Sequence, residues 1–452
     1  MSLLSGLIAL VAALSGLVVG YATGVIAGAE GPIAAEFGLD GSPFLRGLVV
    51  GCILIGGFLG AIASGPLAGR FGQKPAMLAT GALFLACGLG MAFSDAAWQL
   101  ILWRTGAGLA IGSATMVAPL YVGETAPPKW RGALITGFQL ALTAGILCGY
   151  LVNIAFADAG NWRLMLGLTA LPGAILLLGM LPLPESPRWL LQHGREDAAR
   201  TVFRRIHRSD WPADEVARAI ASRGTKARWA DLFAPRILPV LVIAVGLFVF
   251  TNLSGIDIIL YYAPTIFAEV GFSGTLGPIL ATAGIGAVNV AATVLAMWLV
   301  DRAGRRPLLI GGLVPMTLAM AVMVPALAFA GPVWHGIAVA ALAVFIIAFA
   351  ISLGPLPYVI MAEVFPIRVR SLGMGIAAAM AWGVNAIVSL AFLPLAAWIG
   401  MPGVFAIFAL VCLVALLFVW RLVPETRGRS LEEIEANLAA GRPVRHLGDL
   451  PD

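Results

Sequence analysis

Charge is what this sequence has least of. Only 11% of its 452 residues are charged, whereas a soluble domain carries about 25%. Hydrophobic residues make up 60% of the chain, and they stand in long blocks that contain no charge. The longest such blocks are residues 1–29, 133–157, 270–300, 307–362 and 371–420. A chain of this kind cannot cover itself with a water-compatible surface, so the composition excludes a soluble protein and predicts an integral membrane protein.

Cysteine and histidine are scarce as well, with four of each. The cysteines all fall in apolar stretches, at Cys52, Cys87, Cys148 and Cys412, and the histidines form no cluster. This pattern favours neither a disulfide framework nor a metal site, so we expect no cofactor. No Lys or Arg precedes the first apolar run, which predicts a retained first span rather than a cleaved signal peptide.

The charge-free blocks predict twelve membrane helices. A helix needs roughly 20 apolar residues to cross the hydrocarbon core, so residues 307–362 and 371–420 must each hold two spans, with turns at 331–332 and 400–403. The predicted spans are 5–28, 44–68, 75–93, 98–121, 133–156, 163–182, 237–268, 276–299, 306–329, 336–362, 371–396 and 401–421. The predicted fold class is therefore an all-α integral membrane protein.

The positive charges are distributed unevenly between the two sides. The net charge is +5, and apart from Arg46, Arg104 and Arg163 every Lys and Arg falls in the even-numbered connections or at the C-terminus. This positive-inside pattern places both termini in the cytoplasm and favours a lipid bilayer, not nucleic acid, as the partner. Heavy use of Ala, Gly and Arg is typical of a bacterium of high GC content, which predicts a bacterial inner membrane.

The chain is an internal duplication. Glu124, Pro127 and Arg131 recur 239 residues later as Glu363, Pro366 and Arg370. Two further motifs recur in the same order at similar offsets: 184–186 as 424–426, and 69–75 as 301–307. We therefore predict two bundles of six helices.

The duplication also predicts the domain boundaries. They give an N-terminal bundle at 1–183, a cytoplasmic helical linker at 184–236, a C-terminal bundle at 237–422 and a cytoplasmic tail at 423–452. Within the linker, residues 196–208 and 214–223 have the composition of short helices, and Ser430 with Glu433 forms a capping box in the tail.

Several motifs resemble those of the sugar porter family of the major facilitator superfamily, over nearly the whole chain. They are Arg70–Pro75, Asp301–Pro307, Arg104–Arg131, Pro184-Glu-Ser-Pro-Arg188, Tyr261-Tyr262-Ala-Pro264 and Pro424-Glu-Thr-Arg-Gly428. The resemblance implies a monomeric major facilitator fold that exposes a central site to one side at a time and carries a monosaccharide, either a pentose or a hexose. A carrier of a polyol or an organic acid and a transporter-like sugar sensor remain alternatives.

The resemblance also implies a set of substrate-binding residues. Gln139 matches a sugar-binding glutamine, and Thr143 and Ile146 follow it on one face of the fifth span. The other implied residues are Thr251, Asn252 and Asp257 in the seventh span, Asn289 in the eighth, and Trp382 with Asn385 in the eleventh. Residues 251, 252 and 257 depart from the family pattern. An interhelical hydrogen bond for Gln139 and a lipid-interface anchor for Trp382 are the simpler alternatives.

Helix geometry adds a prediction for the seventh span. Five helical residues subtend about 500°, so a continuous helix would point Asn252 and Asp257 in different directions. A break at Gly255, with Pro264 beyond it, would let both side chains face one cavity.

Gating residues follow from the same resemblance. Tyr261 and Tyr262 match an extracellular gate, while Pro355 and Pro357 predict a tenth helix that can bend. A cytoplasmic charge latch is implied at Arg70, Glu124, Arg131, Glu185, Arg302, Arg305, Arg306, Glu363, Arg370 and Glu425. Helix caps combined with the positive-inside rule are the alternative explanation. The first half has Gln73-Lys74 where the family has two arginines, which predicts a weaker latch there.

Proton coupling is left open by the sequence. Ala22 stands where proton-driven members of the family carry an aspartate, although its usual partner, Arg104, is present. One hypothesis is a facilitator that moves sugar down its gradient. The other is a symporter in which Asp257 carries the proton, because a carboxyl group removed from water takes up a proton more readily. Asp257 as a simple sugar ligand, or as a salt-bridge partner of Arg104, is a third possibility.

An enzyme is the class that the sequence disfavours. Residues 106–112 resemble a dinucleotide-binding loop, but they lie within the fourth predicted span and follow no strand. Small residues at this spacing instead let membrane helices approach closely.

Overall fold

The computed structural model describes residues 3–125, 128–157, 159–207, 211, 216, 229–272, 274, 276–329, 331–366, 369–427, 429 and 431–447. All regular secondary structure in these ranges is helical. The helices are α1 (Leu3–Glu36), α2 (Pro43–Phe71), α3 (Gln73–Ala92), α4 (Ala97–Thr125), α5 (Pro128–Phe156), α6 (Trp162–Gly167), α7 (Ala170–Met180), α8 (Pro187–Gln192), α9 (Glu196–His207), α10 (Trp229–Leu232), α11 (Leu238–Leu253), α12 (Ile256–Glu269), α13 (Leu276–Ala303), α14 (Arg305–Ala328), α15 (Pro332–Ile351), α16 (Leu356–Val364), α17 (Arg370–Leu422) and α18 (Leu431–Ala439).

Eleven helical segments among the described residues are long and apolar enough to cross a membrane. The last of them, Leu372–Leu422, is 51 residues long, about twice the length of one span. Its backbone leaves the helical conformation at Gly400, where φ is 74°. The segment therefore supplies two spans, and the predicted fold class with twelve spans is confirmed.

Several spans differ from their predicted form. The first continues to Glu36 instead of ending at residue 28, because Glu30 is held within α1 with only 4% of its surface exposed. The sixth span is divided into α6 and α7, the seventh into α11 and α12, and the tenth into α15 and α16. The division at Gly255 in the seventh span is the one that the sequence predicts.

The chain divides into two compact units. Unit 1 comprises Met1–Ala29, Cys52–Val152 and Asn161–Lys226, and unit 2 comprises Glu30–Gly51, Asn153–Gly160 and Ala227–Asp452. The predicted bundle and linker boundaries stay a prediction. Of the predicted short helices, 196–208 corresponds to α9, while 214–223 lies outside the described residues except for Val216. Ser430 of the predicted capping box also lies outside them.

In unit 1, glycines bring α2 and α4 into backbone contact. A Cβ atom built on Gly108 would lie 2.0 Å from the carbonyl oxygen of Ile53, and one built on Gly112 would lie 2.0 Å from that of Gly57. No side chain fits at such distances. The glycines of residues 106–112 thus serve helix packing inside α4, which agrees with the membrane interpretation of this motif.

Replacing Gly112 with Ala should therefore destabilise the protein, although Ala is the better helix former. Because the new methyl group meets the backbone of α2, we expect a loss of about 1–3 kcal/mol in the free energy of unfolding. The measurement is the thermal unfolding midpoint of purified protein in detergent. Gly123→Ala is the matched control, since it lies in the same helix and its built Cβ atom has no neighbour within 4 Å. A midpoint for Gly112→Ala at or above that of the control would contradict the contact.

Candidate functional site

In unit 2 the seventh and tenth spans are both interrupted, and the interruptions adjoin. The seventh span breaks at Gly255, whose φ of 88° is left-handed and favours glycine. The tenth breaks between Ile351 and Leu356. The hydroxyl of Thr251 donates to the carbonyl of Leu247 at 2.8 Å and lies 3.4 Å from that of Leu353. Breaks in membrane helices leave backbone groups for binding and are typical of transporter substrate sites.

Asp257 lies in the first turn of α12, directly after the break. Its side chain is half-buried and interacts electrostatically with Tyr358 of α16. The Tyr358 ring packs edge-on against Phe248 of α11, with 4.7 Å between centroids. A partly accessible carboxylate in the middle of an apolar span must face water, a substrate or a polar partner, because lipid does not solvate its charge. Asp257, Tyr358 and the break therefore form a candidate binding region.

Pro355 and Pro357 lie beside this region, at the start of α16. Proline cannot donate a backbone hydrogen bond, so the two residues suit the point where the tenth span is interrupted. The tenth span is thus interrupted beside these prolines, and its bending during gating stays a prediction.

Three buried asparagines were also predicted to bind substrate. Asn252 is 7% exposed and donates its amide to the carbonyl of Phe248 at 2.7 Å, within its own helix. Asn289 in α13 is 5% exposed. Asn385 in α17 is 6% exposed, and its Nδ2 lies 3.5 Å from the Tyr261 hydroxyl. The Oδ1 atom of Asn385 accepts no hydrogen bond from the described part of the chain, which leaves it available to a hydroxyl group.

The predicted gate tyrosines lie at a distortion of α12. Tyr262 has a non-helical backbone (φ −113°, ψ 19°) two residues before Pro264. Tyr261 and Tyr262 are 4% and 1% exposed, and the Tyr262 ring packs on Phe392 of α17 with centroids 4.9 Å apart. Trp382, one turn before Asn385 on α17, is half-buried.

The predicted residues of the fifth span belong to unit 1. Gln139 is half-buried, whereas Thr143 and Ile146 are 3% and 2% exposed. The Thr143 hydroxyl donates to the carbonyl of Leu140 at 3.0 Å. Since a Cβ atom on Gly24 of α1 would lie 2.3 Å from the Ile146 carbonyl oxygen, this part of α5 lies directly on α1. Gln139 is thus the most exposed of the three.

Ala22 and Arg104, the two residues that bear on proton coupling in the first half of the chain, are also in unit 1. Ala22 is 3% exposed and Arg104 is 1% exposed. The guanidinium of Arg104 interacts with the thiol of Cys52. Arg104 and Asp257 belong to different units, and their pairing stays a hypothesis.

The repeated charged motifs form one cluster in each unit. In unit 2, Glu363 accepts hydrogen bonds from Arg305 at 2.8 Å and from the hydroxyl of Thr426. Glu425 accepts from the backbone N–H groups of Arg305 and Arg306, each at 3.1 Å. We call these five residues the unit 2 cluster.

Unit 1 repeats this arrangement with one substitution. Glu124 accepts from the amide of Gln73 at 2.7 Å and from the hydroxyl of Ser186. Glu185 accepts from the backbone N–H groups of Gln73 at 3.0 Å and Lys74 at 3.2 Å. These five residues are the unit 1 cluster. Gln73 occupies the position that Arg305 has in unit 2. Glu124 therefore accepts from a neutral amide, whereas Glu363 forms an ion pair.

A glycine makes room for each capping carboxylate. Gly72 and Gly304 precede α3 and α14 with φ of 111° and 90°. A Cβ atom built on Gly72 would lie 2.1 Å from Oε2 of Glu185, and one built on Gly304 would lie 2.8 Å from Oε2 of Glu425. The carboxylates thereby satisfy N–H groups that have no partner within the helix and face the positive end of the helix dipole. Glu185 and Glu425 therefore cap the starts of α3 and α14. Helix capping was the alternative explanation to a latch.

The remaining predicted latch residues make other contacts. Arg70 and Arg302 lie over the rings of Phe71 and Trp298, with their Cζ atoms 5.2 Å and 4.0 Å from the ring centroids. Arg370 donates to the carbonyl of Phe365 at 3.2 Å. Arg131 lies in α5, and its side chain is outside the described part of the chain.

Two features of the site were missed from the sequence. Ser186 and Thr426 complete the clusters, and their recurrence at the same place in both halves of the chain was the available signal. The second is an ion pair between Glu30 and Arg46, at 2.7 Å. The available signal was a carboxylate inside an apolar helix, since such groups are rare and usually functional.

Comparison with known proteins places the chain in a family. The model of the family "Sugar (and other) transporter" matches residues 8–438. The chain belongs to this family. Among its relatives in the family, the D-xylose transporter of Levilactobacillus brevis is 39% identical over 96% of both chains. The galactose-proton symporter of Escherichia coli K12 is 37% identical, over 97% of this chain and 95% of its own.

A solved structure agrees with this sugar transporter assignment. The xylose transporter XylE from E. coli, in a partially occluded inward open conformation, superposes with a TM-score of 0.81. The sequence identity is 29%, and the match covers 95% of this chain and all of XylE. The predicted family and the predicted major facilitator fold are confirmed.

The capping contacts predict the effect of neutralising their carboxylates. In Glu425→Gln, one acceptor oxygen becomes an amide donor that faces the backbone N–H groups of α14, so we expect a loss of about 1–2 kcal/mol in the free energy of unfolding. Glu185→Gln should cost a similar amount at α3. Thermal unfolding in detergent measures both. Glu435→Gln in α18 is the control and should leave the midpoint unchanged; equal midpoints for all three variants would contradict the capping role.

Proposed function

We propose that this transporter carries a monosaccharide, a pentose or a hexose, across a bacterial inner membrane by alternating access. The observation that carries the proposal is the pair of adjoining helix breaks in unit 2, with Asp257 and Tyr358 at their edge. Similarity over nearly the full chain to a D-xylose transporter and a galactose-proton symporter supports a sugar as the solute. The positive-inside charge pattern supports cytoplasmic termini, and a monomer is the expected state.

Hydroxyl recognition is the proposed role of the polar residues. A sugar offers hydroxyl groups that both donate and accept, and amides and carboxylates match them. The proposed ligands are Gln139, Thr143, Ile146, Thr251, Asn252, Asp257, Asn289, Trp382 and Asn385. Trp382 would contact the apolar C–H face of the ring. The half-buried position of Gln139 and the Oδ1 atom of Asn385, which accepts no hydrogen bond from the described residues, support these roles most directly.

Two modes of energy coupling each have an observation in their favour. Ala22, in place of an acid beside Arg104, favours a facilitator. The half-buried Asp257 at the break in the seventh span favours a proton symporter, because this carboxylate can be exposed to water and then enclosed with the substrate. Arg104 would then stabilise the bundle rather than take part in proton transfer.

The two clusters are proposed to act at the cytoplasmic side as a latch. Each holds charged groups at the ends of spans, with Glu124 and Glu363 central to them. Capping by Glu185 and Glu425 fixes the helix ends to which the latch groups are attached. Arg70, Arg131, Arg302 and Arg370 would supply the cationic partners that part when the cytoplasmic side opens.

Uptake into proteoliposomes tests the function and the coupling mode together. We expect saturable uptake and counterflow of labelled xylose or glucose. Accumulation above equilibrium under an imposed inward proton gradient, lost in Asp257→Asn but kept in Glu269→Gln, would establish symport through Asp257. Glu269 lies at the other end of the same helix. Equilibration that ignores the gradient would establish a facilitator. Absence of sugar uptake, with transport of a polyol or an organic acid, would contradict the monosaccharide proposal.

The proposed ligands can be tested by substitution. Gln139→Ala and Asn289→Ala should each weaken sugar binding by about three- to tenfold, the effect of losing one or two hydrogen bonds to a neutral partner. Tryptophan fluorescence titration or scintillation proximity binding measures the affinity. Thr317→Ala, whose hydroxyl bonds only the carbonyl of Leu313 among the described residues, is the control and should bind normally. Unchanged affinity and uptake in both test variants would contradict the assigned site.

A further inference from the structure

The ends of α1 and α2 that adjoin the α1–α2 turn are attached to unit 2. Residues Glu30–Gly51, which contain the end of α1, the turn and the start of α2, belong to unit 2 with α11–α17, although most of α1 and α2 belongs to unit 1. We call these residues the α1–α2 corner. By the proposed orientation the corner lies on the outer side of the membrane. On this side, then, part of the first half of the sequence packs against helices of the second half.

Small residues let the corner approach α17 closely. A Cβ atom built on Gly47 would lie 3.3 Å from the carbonyl oxygen of Leu390. One built on Gly51 would lie 3.2 Å from the Leu390 side chain and 3.4 Å from the Ser389 hydroxyl. Ser389 is fully buried. The corner and α17 are thus in direct contact, and the corner covers Ser389.

Arg46 is the polar centre of the corner. Its Nε donates to Oε1 of Glu30 at 2.7 Å, and its Nη1 lies 3.7 Å from the carboxylate of Asp40. Arg46 also interacts electrostatically with Tyr262 of α12, one of the proposed gate tyrosines. Because the Glu30 side chain is only 5% exposed, its charge depends on Arg46 for compensation, and separating such a pair leaves an uncompensated buried charge.

An open pocket of about 390 Å³ adjoins Arg46. Its polar wall contains Asp40, Arg46, Thr265 and Glu269, and its apolar wall comes from α14 and α17. The α1–α2 corner, α12, α14 and α17 therefore meet around this pocket, with Arg46 in its polar wall. Movement of the corner away from α12 and α17 would remove Arg46 from the wall of this pocket.

We propose that the Glu30–Arg46 ion pair locks the outer gate, by holding the α1–α2 corner on α17, over Ser389 and near Tyr262. The proposal rests on the proposed function and orientation. While the pair is intact, the outer side stays closed. When α1 and α2 shift, Arg46 leaves Tyr262, the corner separates from α17, and the space next to the gate tyrosines becomes accessible from outside. Arg46 is a positioning residue in this scheme and does not bind the sugar.

Labelling of a buried reporter tests the lock without any substrate. The reporter is Ser389→Cys, placed in a Cys148→Ser background because Cys148 is the exposed cysteine in the described part of the chain. The protein is reconstituted in nanodiscs and treated with a hydrophilic maleimide. We expect slow labelling in this parent and a rate about tenfold higher when Arg46→Gln or Glu30→Gln shifts the population toward the open form.

The matched control is Arg163→Gln. Arg163 lies in unit 1, bonds the carbonyl of Ser94 at 3.0 Å and pairs with the exposed Asp95 at 4.0 Å, so its loss should leave the labelling rate unchanged. The charge-swapped variant Glu30→Arg with Arg46→Glu should bring the rate back toward that of the parent. Size-exclusion profiles and unfolding midpoints confirm that each variant is folded.

Two results would overturn the lock. One is an unchanged labelling rate in folded Arg46→Gln and Glu30→Gln. The other is an equal increase in Arg163→Gln, which would assign the effect to general loosening. The assay needs no sugar, so a transporter that carries another solute still shows the expected labelling. Normal sugar uptake together with an unchanged labelling rate would contradict the lock alone.

Discussion

Helix ends and helix breaks leave backbone N–H and C=O groups without partners inside the helix, and side chains supply many of those partners in this structure. An unsatisfied N–H or C=O group in hydrocarbon costs several kcal/mol. At the starts of α3 and α14, the carboxylates of Glu185 and Glu425 accept the free N–H groups. Lys74 and Arg306 donate to carbonyls near the ends of neighbouring helices, those of Leu181 and Trp420. The charged side chains at these helix ends therefore have a structural role, because they form hydrogen bonds with the backbone groups there.

The duplication shows which of these contacts the fold requires. The glycine, the capping glutamate and the hydroxyl next to it recur in both units with the same hydrogen bonds. The nitrogen donor to the central glutamate differs between the units, since Gln73 donates to Glu124 in unit 1 and Arg305 donates to Glu363 in unit 2. An amide can replace a guanidinium as a hydrogen-bond donor to a carboxylate, but it brings no charge. Capping is thus common to the two clusters, whereas the strength of the ionic contact differs between them.

The features that can be predicted from this sequence are those in which one physical rule governs many residues. Span number and fold class follow from the length of apolar blocks, and the break at Gly255 follows from glycine between two polar positions. Contacts that join residues distant in the chain cannot be predicted in this way. Nothing in local composition places Thr251 beside Leu353, or Asp257 beside Tyr358. The predicted first span ends at residue 28 because the charge-free block ends before Glu30, whose burial depends on Arg46, 16 residues away.

The residues that depart from the family pattern also indicate where this transporter can differ from its relatives. Thr251, Asn252 and Asp257 stand on either side of the break at Gly255, where the helix does not fix the direction of side chains from one turn to the next. In the proposed function, substitutions on either side of this break change the groups that face the solute. Ala22, by contrast, lies in the buried interior of α1, where an acid would need a compensating partner. In the proposed scheme, the substitutions at the break bear on the solute and, through Asp257, on the coupling, whereas Ala22 bears on the coupling alone.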